Sequence, residues 1–171
     1  GTMHLMVLPS ILPQILEGFH LTEGAAITSA GTIMMLYMAA AFVGNYLLVG
    51  LASRVGIPRI IAVAGLSAAA LQGLLYFSIG VYSFTAIRVL QAGMIAAVIP
   101  LVIAAFAGEG RGGTTLGFLN SGRFVGNALG PIMATTLLVQ FGLLALYAAI
   151  AGLTLLMLSA FLVSMKKWPE N

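Results

Sequence analysis

The sequence predicts an all-α integral membrane protein, a single bundle of six transmembrane helices. Of its 171 residues, 61% are hydrophobic and only 6% are charged, and its mean hydropathy is +1.11. Soluble domains carry roughly 25% charged residues, so this chain lacks the polar surface that water requires. Its apolar runs are long and continuous rather than alternating with polar residues. This favours helices over a transmembrane β-barrel as the way to satisfy backbone polar groups in lipid.

Glycines, prolines and short polar stretches divide the chain into segments near the length that a membrane helix needs, roughly 17–25 residues. The predicted helices cover about residues 3–18, 25–52, 57–78, 82–107, 114–140 and 143–165. The first contains Pro9 and Pro13, so we expect it to be kinked by these prolines or clipped at its start. Gly1 and Thr2 resemble an expression scar. No linker is long enough to separate domains, so residues 1–171 are predicted to form one domain.

The basic residues outside the predicted helix interiors all fall in alternate loops or in the tail. They are Arg54, Arg59, Arg111, Lys166 and Lys167. The intervening loops contain no Lys or Arg. This asymmetry predicts that the basic loops and both termini face the cytoplasm, and we expect a bacterial plasma (inner) membrane.

Residue types that enzymes and metal sites use are nearly absent. The sequence has no Cys, which excludes disulfides, thiolate metal sites and a cysteine nucleophile. It also has no Asp. Its only histidines are His4 and His20, and the predicted helices contain no His pair and no Ser–Lys dyad. We therefore expect no enzymatic activity, no metal and no cofactor. The basic residues are too few and too scattered for a nucleic-acid partner.

The stretch "IRVLQAG" places Arg88 inside the fourth predicted helix. A charge in a membrane helix costs a few kcal/mol at least, so it usually faces the bundle interior or a watery cavity. The alternative is that Arg88 snorkels to the outer headgroups. Gln91, one turn further on, favours the cavity. Glu17, at the outer end of the first helix, is expected at a similar depth. It is therefore the candidate acidic partner of Arg88.

The fifth predicted helix carries a glycine every four residues, at Gly122, Gly126 and Gly130. Glycines at this spacing form a smooth stripe that lets a neighbouring backbone approach closely. Pro131 removes a backbone hydrogen bond and predicts a bend.

A strip of polar residues lies beside that stripe. Asn120, Arg123 and Asn127 recur at helical spacing and therefore share a face. Such a strip indicates a cavity or interhelical hydrogen bonds rather than lipid.

Three motifs resemble those of the major facilitator superfamily. The spacing of Gly117, Gly126 and Gly130-Pro131 is similar to its antiporter motif, "GLASRVG" resembles its cytoplasmic loop signature, and "RVLQAG" resembles its fourth-helix arginine motif. They occur in the family's order and cover essentially the whole chain. The residues carried over as structural motifs are Gly50, Arg54, Gly56, Arg59, Gly117, Gly122, Gly126, Gly130 and Pro131.

Two departures from the family pattern are informative. Ser53 stands where the loop signature has Asp, and Ala134-Thr135 stand where the antiporter motif ends in Gly-Gly. This loss of signature residues resembles the pattern in the C-terminal half of a transporter. The stretch "GRFVGNALGP" resembles the eleventh helix of drug-efflux members. The Lys-Lys tail then fits a true C-terminus.

The resemblance implies a fold of two six-helix halves, each a 3+3 inverted repeat, with substrate bound between them near mid-membrane. This chain would be one half, and its partner the other half or a second copy in a parallel homodimer. The residues that would line the cavity are Gln14, Tyr37, Asn45, Arg88, Gln91, Asn120, Arg123 and Asn127. For each of them, a packing role between helices is an equal alternative.

The function implied is half of a secondary active transporter that moves a small molecule by alternating access. Drug or metabolite efflux by antiport is the expected mode. Proton coupling needs a carboxylate inside the membrane, and this chain offers only Glu17, near the edge; otherwise the carboxylate lies on the other half, or transport is not coupled to protons alone. The alternative is a non-transporting membrane scaffold or assembly subunit, which also needs glycine packing but does not need the polar strip.

Overall fold

The computed structural model describes residues 2–107 and 112–166, and within them the chain is helical, with short turns and no β-strand. The predicted all-α membrane class is confirmed in this coarse form. Arg111 and Lys167, on which part of the orientation argument rests, lie outside the described residues.

Six α-helices and one 3-10 turn are assigned in the described residues. They are α1 (Thr2–Glu17), α2 (Glu23–Val55), α3 (Ile57–Leu74), the 3-10 turn Leu75–Phe77, α4 (Val81–Ala96), α5 (Val98–Ala107) and α6 (Gly112–Lys166). Four described stretches are long and apolar enough to cross a membrane: Glu23–Val55, Ile57–Phe77, Val81–Phe106 and Gly117–Met165. α1, with 16 residues, falls short of that length.

The turn between α2 and α3 is a single residue, Gly56. Its φ of +98° suits a residue without a Cβ, and its N–H donates to the carbonyl of Ala52 at 2.9 Å. Pro58 lies in the first turn of α3, where a missing N–H costs no helical hydrogen bond. Gly50 and Arg54 therefore lie in the last turns of α2 and not in the turn itself.

The segment predicted as one helix over 82–107 is divided at Ala97 into α4 and α5. Pro100 follows three residues later and lacks the N–H that would bond to the carbonyl of Ala96, which accounts for the interruption. Ala97 itself keeps helical torsion angles, φ −75° and ψ −16°, so the chain continues in nearly the same direction.

The two helices predicted over 114–140 and 143–165 meet directly, without an intervening loop. Within α6 only Gly142 is non-helical, with φ +79° and ψ −179°. A left-handed φ at this point favours glycine, so a single residue makes the break. We call residues 112–141 the first arm of α6 and residues 143–166 the second arm.

Two hydrophobic clusters hold the helices together. In the larger one, Leu12 and Leu16 of α1 are fully buried against α2 and α6, together with Ile33 and Leu146. The smaller cluster lies at the other end of α2, with α3, α5 and the second arm. Because α1 sits among α2, α4 and α6, His4 is buried inside the bundle, while Ser10, Gln14 and Glu17 of the same helix are exposed.

α2 and α4 touch backbone to backbone. A Cβ added at Gly44 would overlap the backbone of Gly93, and one added at Gly93 would press on the carbonyl oxygen of Ala40. Small residues at a helix crossing permit such close packing in a membrane.

The first arm of α6 is different, since much of it packs against none of the residues that the structure describes. From residue 117 to residue 129 every side chain is exposed or half-buried. A Cβ at Gly117 or Gly122 would meet no atom within 4 Å. The chain therefore leaves the face of the glycine stripe and the polar strip largely uncovered until Gly130, which is buried.

Candidate functional site: a buried polar cluster and an exposed polar strip

Polar side chains from four helices meet inside the bundle. His4 comes from α1, Gln72 from α3, Arg88 and Gln91 from α4, and Thr154 from the second arm of α6. The first four are at most 4% exposed, and Thr154 is half-buried. We call these five residues the buried polar cluster.

Arg88 is the centre of this cluster and is 1% exposed. Its Nη1 donates to Oε1 of Gln91 at 2.5 Å, and its Nη2 donates to the backbone carbonyl of His4. Its guanidinium carbon lies 4.8 Å from the ring centroid of Tyr37, within cation–π range. Arg88 therefore does not snorkel in this conformation, because its charge is held among three helices.

The expected pairing of Arg88 with Glu17 is wrong for this conformation. Arg88 contacts α1 at His4, which lies 13 residues before Glu17, about 20 Å along a helix. Glu17 is exposed at the end of α1 and forms no ion pair with a described residue. The pairing was predicted from the distance of each residue to the end of its own helix. The separation of Arg88 and Glu17 depends instead on how α1 and α4 are aligned along their axes.

Gln91 has more acceptors around its amide nitrogen than it has hydrogens to donate. Nε2 lies 3.1 Å from the carbonyl of Ala68, 2.6 Å from Oε1 of Gln72 and 3.4 Å from Nδ1 of His4. Two hydrogens serve the two nearer oxygens, so the contact with His4 is the weakest of the three.

The hydrogen bonds around His4 define its tautomer. Thr154 Oγ1 donates its only hydrogen to the carbonyl of Ile150 at 2.8 Å. It must therefore accept from Nε2 of His4, which lies 2.6 Å away. Nε2 thus carries the hydrogen, and the unprotonated Nδ1 faces Gln91. A neutral imidazole also avoids placing a second positive charge beside Arg88.

Several buried polar atoms near the centre of the bundle have no partner among the described residues. They are Nε of Arg88 and the hydroxyl oxygens of Tyr37 and Tyr147. Leaving such a group unpaired costs about 1–3 kcal/mol. The buried polar cluster therefore keeps unused hydrogen-bond donors near a cation that no described carboxylate neutralises.

Asn45 lies in a different place, on the outer face of α2. It lines an open groove of about 580 Å³ with Phe42, Tyr46 and Pro100. The two aromatic rings are each 77% exposed, and Oδ1 of Asn45 is buried without a partner. This surface combines aromatic area with one unused polar atom.

The polar strip of the first arm forms a third location. Asn120 and Arg123 are exposed, and Asn127 is half-buried with its Oδ1 unpartnered. Within the described residues Arg123 has no hydrogen bond, ion pair or ring contact. Gln14 of α1 is also exposed. Of the eight predicted cavity residues, the structure thus brings together only Tyr37, Arg88 and Gln91.

Three members of the buried polar cluster were missed by sequence reasoning. His4, Gln72 and Thr154 each interrupt an apolar run, and that interruption is the signal that was available. Polar residues inside membrane helices usually face the bundle interior. What the pattern does not specify is which of them meet.

The chain matches the family model described as Major Facilitator Superfamily over residues 2–170. Neither a curated protein nor a solved structure matches the chain at a significant level. Members of this family are membrane transporters rather than enzymes, which agrees with the apolar helices and with the motif order. With the match running over nearly every residue, the chain belongs to the major facilitator superfamily.

Proposed function

We propose that this chain is one half of a secondary active transporter that moves a small molecule by alternating access. Efflux of a drug or metabolite by antiport is the proposed mode, and the chain corresponds best to the C-terminal half. Family membership supports transport, and the loop and antiporter motifs with their departures support the C-terminal position.

One observation carries the proposal: the polar strip on the first arm of α6 is uncovered. A charged side chain near the centre of a membrane costs at least about 2.5–3.5 kcal/mol, so Arg123 is unfavourable against lipid. Its exposed position, flanked by Asn120 and Asn127, is best explained by water or protein on that face. A cavity wall facing another half provides both.

We propose six membrane crossings, arranged as a 3+3 inverted repeat. α4 and α5 then cross as one unit, and α6 crosses twice because Gly142 breaks it. A straight helix of the 49 residues from Gly117 to Met165 would span about 74 Å, more than twice the hydrocarbon core. With basic loops in the cytoplasm, both termini would lie there, in a bacterial plasma membrane.

The glycine stripe is the proposed contact surface for the partner. Gly122 of this stripe has open space where a Cβ would stand, so whatever it approaches lies outside the described residues. The partner is the other six-helix half or a second copy in a parallel homodimer. Coupling would use Glu17 or a carboxylate of the partner.

Transport and assembly together provide the test. The oligomeric mass of the purified chain is measured in native detergent. The chain is then reconstituted into liposomes that contain a pH-sensitive dye, and proton flux is followed as a panel of organic anions and cations is added. A dimer with substrate-dependent flux identifies a second copy as the partner. A monomer without flux points to a separate half. A stable dimer without flux supports the scaffold alternative.

The scaffold alternative is favoured by one observation of its own. Arg88 and Gln91, two predicted cavity residues, are used in hydrogen bonds that tie α1, α3 and α4 together. A matched variant separates the two functions: replacing Asn120, Arg123 and Asn127 with Leu should abolish flux if the strip lines a cavity. A scaffold should keep its function, since Asn120 and Arg123 are exposed and the half-buried Asn127 has no hydrogen-bond partner for its Oδ1 among the described residues.

A further inference from the structure

Within the described residues, the charge inside the long apolar helices is of one sign. Arg88 and Arg123 lie within helices, while Glu17 is the last residue of α1 and Glu23 the first residue of α2. The sequence contains no Asp, and the remaining glutamates are at 109 and 170. No described carboxylate pairs with either arginine.

Arg123 is the arginine that is free to meet a ligand. Arg88 is held by Gln91 and by the carbonyl of His4, but Arg123 is exposed and contacts no described group. Asn120 and Asn127 lie three residues before it and four residues after it, so all three side chains share one helix face. Each amide supplies two further N–H donors beside the guanidinium.

We infer that the polar strip of α6 binds an organic anion, with Arg123 as the charge partner of a carboxylate, sulfonate or phosphate and the two asparagines as flanking donors. The inference deepens the proposed function and rests on it for the strip facing a cavity. A planar guanidinium with five N–H donors matches the oxygens of such anions. An organic cation would meet positive charge at Arg123, with no described carboxylate beside it to attract the cation.

Binding to a pair of probes with the same ring and opposite charge tests this inference. The probes are 1-naphthoate and 1-naphthylmethylammonium, titrated into the full 171-residue chain in phosphatidylcholine nanodiscs. Inorganic phosphate serves as an anion without an apolar body. We expect 1-naphthoate to bind at least about tenfold more tightly than the ammonium probe, as one charge-assisted hydrogen-bonded pair would produce. Equal binding, tighter binding of the cation, or binding of neither overturns the inference.

Variants locate the binding at the strip. Arg123→Gln should weaken 1-naphthoate at least about tenfold, and Arg123→Lys should retain part of the affinity because it keeps the charge. The matched control is Arg59→Gln, an exposed arginine in the first turn of α3, which should leave 1-naphthoate affinity unchanged. Arg123 is exposed, so folding of the variants is expected and is checked by their thermal unfolding. Anion affinity that survives Arg123→Gln overturns the inference.

A lipid headgroup could supply the same anionic chemistry, and a second arm of the experiment distinguishes it. The titration is repeated in nanodiscs that contain phosphatidylglycerol. Unchanged affinity for 1-naphthoate supports a soluble anion, and competitive loss of affinity assigns the site to lipid and overturns the inference.

The proposed transport function and this inference fail separately. Flux of a cationic probe through liposomes would leave transport standing and overturn the anion site. Anion binding that depends on Arg123, in a chain that never produces flux, would support the anion site and count against transport by this chain alone.

Discussion

Arg88 and Gln91 lie one turn apart on α4, and the Nη1 of the arginine donates to the glutamine Oε1 at 2.5 Å. The same glutamine donates to the carbonyl of Ala68 and to Gln72 on α3. One side chain thus accepts a hydrogen bond from a buried cation and ties two helices together. The spacing of three residues already placed both side chains on one helix face.

Replacing Gln91 with Leu should destabilise the bundle strongly. Arg88 and Gln72 would each lose a buried partner, and an unsatisfied group costs about 1–3 kcal/mol, more when it is charged. We expect a loss of at least about 2 kcal/mol of unfolding free energy, measured by denaturant unfolding in detergent.

The matched control is Gln140→Leu, the same change at an exposed position of α6. This variant should change the free energy of unfolding by no more than about 0.5 kcal/mol. Similar losses in both variants would show that the hydrogen bonds of Gln91 contribute little to stability.

Gly44→Ala should weaken the packing of α2 against α4. The new methyl group would overlap the backbone of Gly93, which cannot rotate away as a side chain can. Overpacking of this kind costs about 1–3 kcal/mol. Gly31→Ala is the same change on the same helix, with no atom within 4 Å of the new methyl group, and should be neutral or slightly stabilising. Thermal unfolding of the two variants side by side checks this, and an equal effect would contradict the close contact.

Thr154→Val tests the tautomer of His4. The substitution keeps the shape of the side chain but removes the hydroxyl that accepts from Nε2 of His4. The buried N–H would then lack a partner, at a cost of about 1–3 kcal/mol. Thr32→Val is the control, since the hydroxyl of Thr32 is exposed and bonds only to its own helix at Thr28. If Thr154→Val were as mild as the control, the hydrogen would not be on Nε2.

The sequence predicts local features of this fold well. Long apolar runs predict membrane helices, and the left-handed Gly56 beside Pro58 accounts for the turn between α2 and α3. The break at Gly142 was expected as a short loop, because the pattern does not show that one glycine is enough. Such features depend on residues that are close together in the sequence, and so the sequence predicts them.

The buried polar cluster was only partly predictable, for a physical reason. Arg88 and Gln91 are close in sequence, so helical spacing alone relates them. His4 and Thr154 are 150 residues apart, and their contact depends on how α1 and α6 pack. The register between two helices is set by all their shared contacts, and a single sequence pattern does not encode it. The mistaken pairing of Arg88 with Glu17 has the same origin.

Gly122→Leu should harm assembly without harming the fold of the isolated chain. A Cβ at Gly122 meets nothing within 4 Å, so the larger side chain has room in the chain alone, and because Leu is the better helix former its unfolding free energy should not fall. If the glycine stripe packs on a partner, the same side chain blocks close approach of that partner's backbone. The dimer fraction in native detergent, or flux where a partner is present, should therefore fall.

Gly152→Leu, at an equally open position on the second arm of α6, should change neither quantity. A lowered unfolding temperature for isolated Gly122→Leu would mean that the stripe packs within this chain, and equal assembly by both variants would remove the stripe from the interface.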